Sequence, residues 1–161
     1  MTSGIIQSPA IAPPISRARA GVVVLFLLCG VVCNAVRAEL EVAEISIITA
    51  DGTINYQTEL ANDTYSRTQG LMHRQSMPAN RAMLLHFGRP QHVSIWMKNT
   101  LIPLDILYID KAGIIVRIVE YATPLSLKSM PSGKKVVAVL ELNAGQVAAH
   151  RIKTGDKVIN F

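Results

Sequence analysis

Residues 104–119, LDILYIDKAGIIVRIV, combine two apolar runs with a short polar turn between them. The runs at 104–110 and 114–119 are rich in isoleucine, leucine and valine, a composition that favours β-strands. Asp110-Lys111-Ala112-Gly113 separates them with residues that commonly form turns. The stretch therefore predicts two consecutive strands of a β-rich domain.

Strand-like runs continue on both sides of this stretch. They occupy residues 39–50, 53–60, 82–87, 93–97, 135–142 and 157–161, which makes about eight strands in all. Two short helices are predicted at 64–74, capped by Asn62-Asp63, and at 144–151, capped by Asn143. Residues 121–134 carry two prolines and three serines, so we expect an irregular, mobile flap there. Many short strands without repeats predict a mainly β single domain, either a sandwich or a partly closed barrel.

Residues 1–38 have the features of a cleaved secretory signal peptide. Arg17 and Arg19 precede an uncharged apolar block at 21–36, and cleavage after Val36-Arg37-Ala38 would leave Glu39 first. A retained membrane anchor is the alternative, but the block is shorter than the roughly 20 apolar residues of a spanning helix. We therefore expect an exported protein, periplasmic or extracellular, with one domain at 39–161 and no stable membrane insertion after cleavage.

Charge and cysteine content exclude several functions for that domain. Three of the 16 basic residues lie in the predicted leader and all 11 acidic residues follow it, so the net charge falls from +5 to about +2. We therefore expect no nucleic-acid binding, which favours a clustered basic face. Both cysteines, Cys29 and Cys33, also lie in the leader, which excludes disulfides and cysteine-based chemistry from residues 39–161.

The stretch SIWMKNTLIPLD at residues 94–105 contains the only tryptophan of the chain. Alternate residues of a strand face opposite ways, so Trp96 and Lys98 are predicted to share one face, and Met97 and Asn99 the other. This would place an aromatic wall beside an ammonium group. The simpler interpretation is a core tryptophan, a solvated lysine and a turn-forming asparagine.

A second cluster is formed by Arg67, Gly70 and Arg74. Their spacing of three and four residues would put both guanidinium groups on one helical face, with room at the glycine for an approaching anion or backbone. The alternative is two solvated arginines on either side of a helix C-cap.

Three motifs together resemble the bacterial and archaeal family called domain of unknown function 192. They are Arg67-Thr-Gln-Gly70-Leu71-Met72-His73-Arg74, then Trp96-Met97-Lys98-Asn99-Thr100 with its Pro103-Leu104-Asp105 continuation, and Val139-Leu140-Glu141-Leu142. The resemblance extends from about residue 45 to 159 and implies a mainly β, single-domain sandwich or barrel-like fold, but no activity. It also implies that nine residues form one site: Arg67, Gly70, Met72, Arg74, Trp96, Lys98, Asn99, Asp105 and Glu141.

The chemistry of these residues leaves two functions open. Arg67, Arg74 and Lys98 could clamp an anion while Trp96 stacks on a sugar ring, which favours a binding module for a polar small molecule or envelope glycan. Alternatively, Asp105 and Glu141 could act as paired acid and base in a cell-envelope hydrolase. Both carboxylates could also be a structural ion-pair scaffold with Lys98.

A copper-binding protein is a third hypothesis, because imidazole and thioether groups suit Cu(I). The candidates are His73, His86, His92, His150, Met72, Met77, Met83, Met97 and Met130. No pair among them shows compact ligand spacing, so neither a metal site nor another cofactor is predicted.

Overall fold

Strands make up most of the secondary structure in the computed structural model, which describes residues 39–161. The nine strands within this range are β1 (Val42–Thr49), β2 (Gly52–Ala61), β3 (Arg81–Gln91), β4 (Ser94–Ile95), β5 (Leu104–Ile109), β6 (Ile115–Ala122), β7 (Met130–Pro131), β8 (Val136–Asn143) and β9 (Lys157–Ile159). The two helices are α1 (Thr64–Gln69) and α2 (Gln146–Ala149). The predicted mainly β fold is confirmed, while the predicted signal peptide at 1–38 lies outside the described residues.

Seven of the strands form one curled sheet in the order β6-β5-β8-β3-β2-β1-β9. β2 and β3 are parallel to each other, and α1 connects them along the chain. All other neighbouring strands of the sheet are antiparallel. The two outermost strands meet at one end, where Ile114 bridges Lys157 and Val158 N donates to Gly113 O over 2.7 Å. Of the two predicted architectures, the sheet is therefore a partly closed barrel.

The turn between β5 and β6 explains how the chain reaches this closure. Asp110 Oδ1 accepts hydrogen bonds from Ala112 N at 2.8 Å and Ile114 N at 3.0 Å. Gly113 takes a φ of 81°, which a residue without a Cβ adopts readily. The predicted turn at 110–113 is confirmed, and it carries the backbone that bonds to β9.

Both faces of the central strands β5 and β8 are buried, and the domain has two apolar clusters. The cluster that contains Ala82 and Leu84 of β3 is called the inner cluster here. The cluster that contains Met83 and Leu85 is called the outer cluster, and it lies on the opposite face of β3, as strand alternation requires. The outer cluster is covered by the chain after α1, by β4 and β7, and by Met97 and Ile102. This double burial explains why all six residues of β5 are buried.

Both helices are shorter than predicted. Asp63 caps α1, accepting from the amides of Tyr65 and Ser66, but the helix ends at Gln69 because Gly70 leaves it with φ 45° and ψ −134°. The second helix has Gly145 at its N-cap position and no side-chain cap of its own. The predicted cap at Asn143 is wrong, because its amide donates instead to Met77 O over 2.8 Å.

The segment at 121–134 is irregular over most of its length, as predicted, but it contains the short strand β7. β7 pairs with β4, and the backbone of the segment is bonded to the preceding loop by Met97 N to Ser126 O at 2.9 Å and Leu125 N to Thr100 O at 3.0 Å. The mobility of this segment stays a prediction. Neither helix within residues 39–161 is long and apolar enough to cross a lipid bilayer.

Candidate functional site

A cavity of about 480 Å³ opens at the border of the outer apolar cluster. Its walls come from α1 and the turn that follows, from β3 and β4, and from the loop after β4. Five of the nine predicted site residues line it, namely Arg67, Gly70, Met72, Trp96 and Glu141. The remaining four, Arg74, Lys98, Asn99 and Asp105, do not.

Glu141 is the sole carboxylate among the described residues that line the cavity. It lies in β8 opposite Met83 of β3 and Ile106 of β5, so it points to the outer face of the sheet. The residue is only 5% exposed, and its Oε2 has no hydrogen-bond partner within residues 39–161. Burial raises the pKa of this carboxyl to about 7, against the lowering influence of Arg74 nearby.

Gly70 leaves the space next to this carboxyl open. A Cβ at this position would stand 3.9 Å from Glu141 Oε2, and the positive φ of Gly70 also disfavours any other residue. The helix thus ends beside the buried acid in a turn that only glycine forms without strain.

Replacing Glu141 with glutamine should change how stability depends on pH. The folded protein holds the Glu141 proton up to about pH 7, whereas an ordinary carboxyl releases it near 4.5. The stabilising contribution of the protonated group is therefore complete below about pH 4.5 and is lost as the pH rises to about 7. Relative to Glu141→Gln, the native protein should lose about 3 kcal/mol over this interval.

Urea unfolding of both proteins at several pH values measures this difference. Comparing the two proteins cancels the contributions of groups whose stabilising effect increases with pH. One of them is Glu59, whose pKa is lowered by its hydrogen bond with Arg74. Parallel pH profiles would contradict the prediction, because they would mean that Glu141 ionises normally in the fold.

Asp105 lies on the inner face of the sheet, opposite in direction to Glu141. Its Oδ1 accepts from Tyr121 N at 3.0 Å and its Oδ2 from Val147 N at 2.9 Å. Asp105 is fully buried and provides the N-terminal acceptor that α2 otherwise lacks. The structure therefore does not bring Asp105 and Glu141 together as an acid and base pair.

Both arginines of the predicted anion clamp are bonded to the protein itself. The Nη1 of Arg67 donates to the carbonyl oxygens of Asn62 at 2.7 Å and His86 at 2.9 Å. Arg74 forms a two-point ion pair with Glu59, with one N–O distance of 2.7 Å. Since α1 ends before Arg74, the prediction that both guanidinium groups share a helical face is wrong.

Trp96 forms a half-exposed wall of the cavity, with 49% of its surface accessible. The Lys98 ammonium lies 5.1 Å from the centre of the indole ring, so the predicted shared face of Trp96 and Lys98 is confirmed. The predicted shared face of Met97 and Asn99 is wrong, because β4 ends at Ile95 and Met97 is buried while Asn99 is exposed. Within the described range Lys98 forms no salt bridge, so the alternative of an ion-pair scaffold with Asp105 and Glu141 is wrong. The main-chain carbonyl oxygen of Asn99 accepts a hydrogen bond from His73 N at 2.8 Å, which joins this loop to the turn after α1.

Several residues of the cavity were missed from the sequence. Leu85 and Phe87 alternate along β3 and line one wall, and Thr64, Thr68 and Gln69 of α1 line another. The strand alternation was a usable signal for the first pair, because the predicted strand at 82–87 already contained both residues.

The proposed copper ligands are dispersed in the fold. Met83 and Met97 are buried in the outer apolar cluster, and the His86 ring packs edge-on against Phe161. Among residues 39–161 no group of three His, Cys, Asp or Glu side chains is placed to hold a metal ion.

Comparisons with known proteins agree with the observed fold. Residues 46–159 match the model of the family DUF192, described as Uncharacterized ACR. A crystal structure from Sinorhizobium meliloti 1021, named as a "putative transcription regulator", is 40% identical with a TM-score of 0.75, covering 76% of this chain and 96% of that one. A protein of unknown function from Novosphingobium aromaticivorans DSM 12444 is 30% identical with a TM-score of 0.74, covering 75% and 86%. No curated protein matches the chain.

Proposed function

Because the chain belongs to the family of domain of unknown function 192, whose description assigns no activity, we infer the function from its cavity. We propose that the domain is an exported binding module for a polar small molecule that bears hydroxyl groups, such as a sugar ring of an envelope glycan. The proposal rests on one observation above all, the unpartnered carboxyl of Glu141 in the cavity.

An unsatisfied buried carboxyl is costly, so its position in the cavity favours a role in binding. Leaving a buried polar group without a partner costs roughly 1–3 kcal/mol, and more for a charged group. A ligand that donates a hydrogen bond to Glu141 would remove this cost on binding. Hydroxyl and amide groups can act as such donors.

The walls of the cavity suit a ligand with one apolar and several polar faces. Trp96 offers a flat, half-exposed indole, and aromatic rings of this kind stack well on the apolar face of a sugar. Thr68, Gln69 and Thr100 add groups that can both donate and accept hydrogen bonds.

The same geometry disfavours the competing functions. An anionic ligand would find Arg67 and Arg74 already bonded to protein oxygens. A hydrolase with paired carboxylates would need a second acid close to Glu141, and Asp105 faces the other side of the sheet. For transcription regulation, the described helices of six and four residues are short for insertion into a DNA groove.

Titration with N-acetylglucosamine, followed by the emission of Trp96, tests the proposal. Trp96 is the only tryptophan of the chain, so the signal reports on the cavity wall alone. At pH 8 we expect a saturable change in emission, at least about tenfold weaker binding for Glu141→Gln, and unchanged binding for Glu120→Gln, an exposed control. Inorganic phosphate should produce no change.

Two results would contradict the proposal. One is equal affinity in the native protein and Glu141→Gln, which would remove Glu141 from the site. The other is saturable binding of phosphate without binding of the sugar, which would favour an anion-binding site over a sugar-binding site.

A further inference from the structure

The second surface of interest is an exposed apolar patch formed by Trp96, Leu125 and Leu127. Their side chains are 49%, 58% and 68% exposed, respectively. Exposed apolar groups that cluster on a surface often mark an interaction site. We call these three residues the Trp–Leu patch.

Backbone hydrogen bonds bring together the two segments that carry the three side chains. The loop after β4 runs against the chain before β7, bonded through Met97 N to Ser126 O and Leu125 N to Thr100 O. Met97 is 1% exposed, whereas Trp96 and Lys98 on either side of it are exposed. Leu125 and Leu127 lie on either side of Ser126 and are also exposed.

The two segments that carry the patch contain only basic charged residues. Residues 94–101 and 123–135, which carry the patch, contain Lys98, Lys128, Lys134 and Lys135 and no aspartate or glutamate. All four lysines are exposed. A partner for this surface must therefore combine apolar depth with negative charge.

We propose that the Trp–Leu patch docks reversibly on an anionic lipid surface. Tryptophan is enriched at the level of lipid headgroups, and leucine side chains can enter the adjacent acyl region. The lysines would bind the headgroup phosphates, an attraction that adds up over each cation near the surface. The patch shares Trp96 with the ligand cavity, but the inference also rests on Leu125, Leu127 and the lysines and does not depend on the proposed sugar binding.

A lipid surface fits the size of the patch better than a protein partner does. A stable protein interface involves about 20–30 residues from each side. Three apolar side chains with basic neighbours are few for such an interface. They are sufficient for a weak contact with a membrane, where charge and apolar groups act together.

Emission of Trp96 in the full chain tests the docking. The full chain is mixed with vesicles of phosphatidylcholine alone or with added phosphatidylglycerol, and brominated lipids serve as quenchers. We expect a blue shift and quenching of Trp96 only with phosphatidylglycerol, and weakening of both by salt. Because the chain has a single tryptophan, a vesicle contact that leaves Trp96 in water leaves this signal unchanged.

Matched variants distinguish binding through the patch from non-specific binding of other exposed apolar residues to the vesicles. Leu125→Ser/Leu127→Ser should abolish the shift, whereas Val42→Ser/Ile48→Ser, which alters two exposed apolar residues of β1, should retain it. Lys98→Gln/Lys128→Gln should weaken the binding about 30-fold. Thermal unfolding of each variant confirms that it is folded.

Three outcomes would overturn the proposal. They are vesicle binding without quenching of Trp96, equal shifts with and without phosphatidylglycerol, and loss of the shift in the β1 control. A blue shift that grows with protein concentration in the absence of vesicles would assign the patch to self-association instead.

Discussion

Replacing Asp105 with alanine should destabilise the domain by about 4 kcal/mol, because it leaves one buried and one partly buried amide without an acceptor. The carboxylate accepts from Tyr121 N and Val147 N, and thereby ties the end of β6 to the first turn of α2. Among residues 39–161 no other side chain caps α2. Asp105→Asn should lose about half as much, since its amide retains one acceptor oxygen.

Urea unfolding of the variants checks this expectation. Asp51→Ala is the control, because Asp51 is exposed and makes a 3.4 Å ion pair with Arg151 at the surface. A surface pair of this kind contributes within about 1 kcal/mol. A similar loss for Asp51→Ala and Asp105→Ala would refute the structural role of Asp105.

A comparable loss of about 4 kcal/mol is expected for Gly113→Ala at the closure of the barrel. A Cβ on Gly113 would stand 2.5 Å from the carbonyl oxygen of Val158, which belongs to the β9 backbone and cannot rotate away. The substitution would therefore push β9 from the turn and break the hydrogen bond from Val158 N to Gly113 O.

Gly88→Ala separates this clash from the strain of a positive φ. Gly88 has a φ of 74°, close to the 81° of Gly113, but a Cβ there would meet nothing within 4 Å. It should cost only about 1 kcal/mol. Equal thermal unfolding temperatures for the two variants would mean that the closure tolerates a side chain.

Local patterns predicted the strands well, because each rests on residues that are adjacent in the sequence. The turn at 110–113 and the shared face of Trp96 and Lys98 both follow from such short-range rules. The length of α1 could not be predicted from such rules, because the periodic positions continue to Arg74 while the backbone of Gly70 ends the helix.

The candidate site depended on partners that the sequence does not display. Arg67 and Arg74 carry the right chemistry for an anion, yet one donates to main-chain carbonyl oxygens and the other pairs with Glu59. Asp105 and Glu141 face opposite sides because Asp105 lies opposite Leu142 in the β5–β8 register. Cross-strand register is a long-range property, so alternation within either strand could not predict it.

The pairing of β1 with both β2 and β9 has a consequence for how the domain folds. β1 and β9 lie at opposite ends of residues 39–161, and Ile47 pairs with Val158. Such non-local pairing carries a large loop-closure cost and slows folding. During synthesis or export, a chain that has not yet delivered β9 would hold β1 as an unpaired edge, open to other chains. The pairing of β9 with β1 therefore covers an edge that would otherwise promote aggregation.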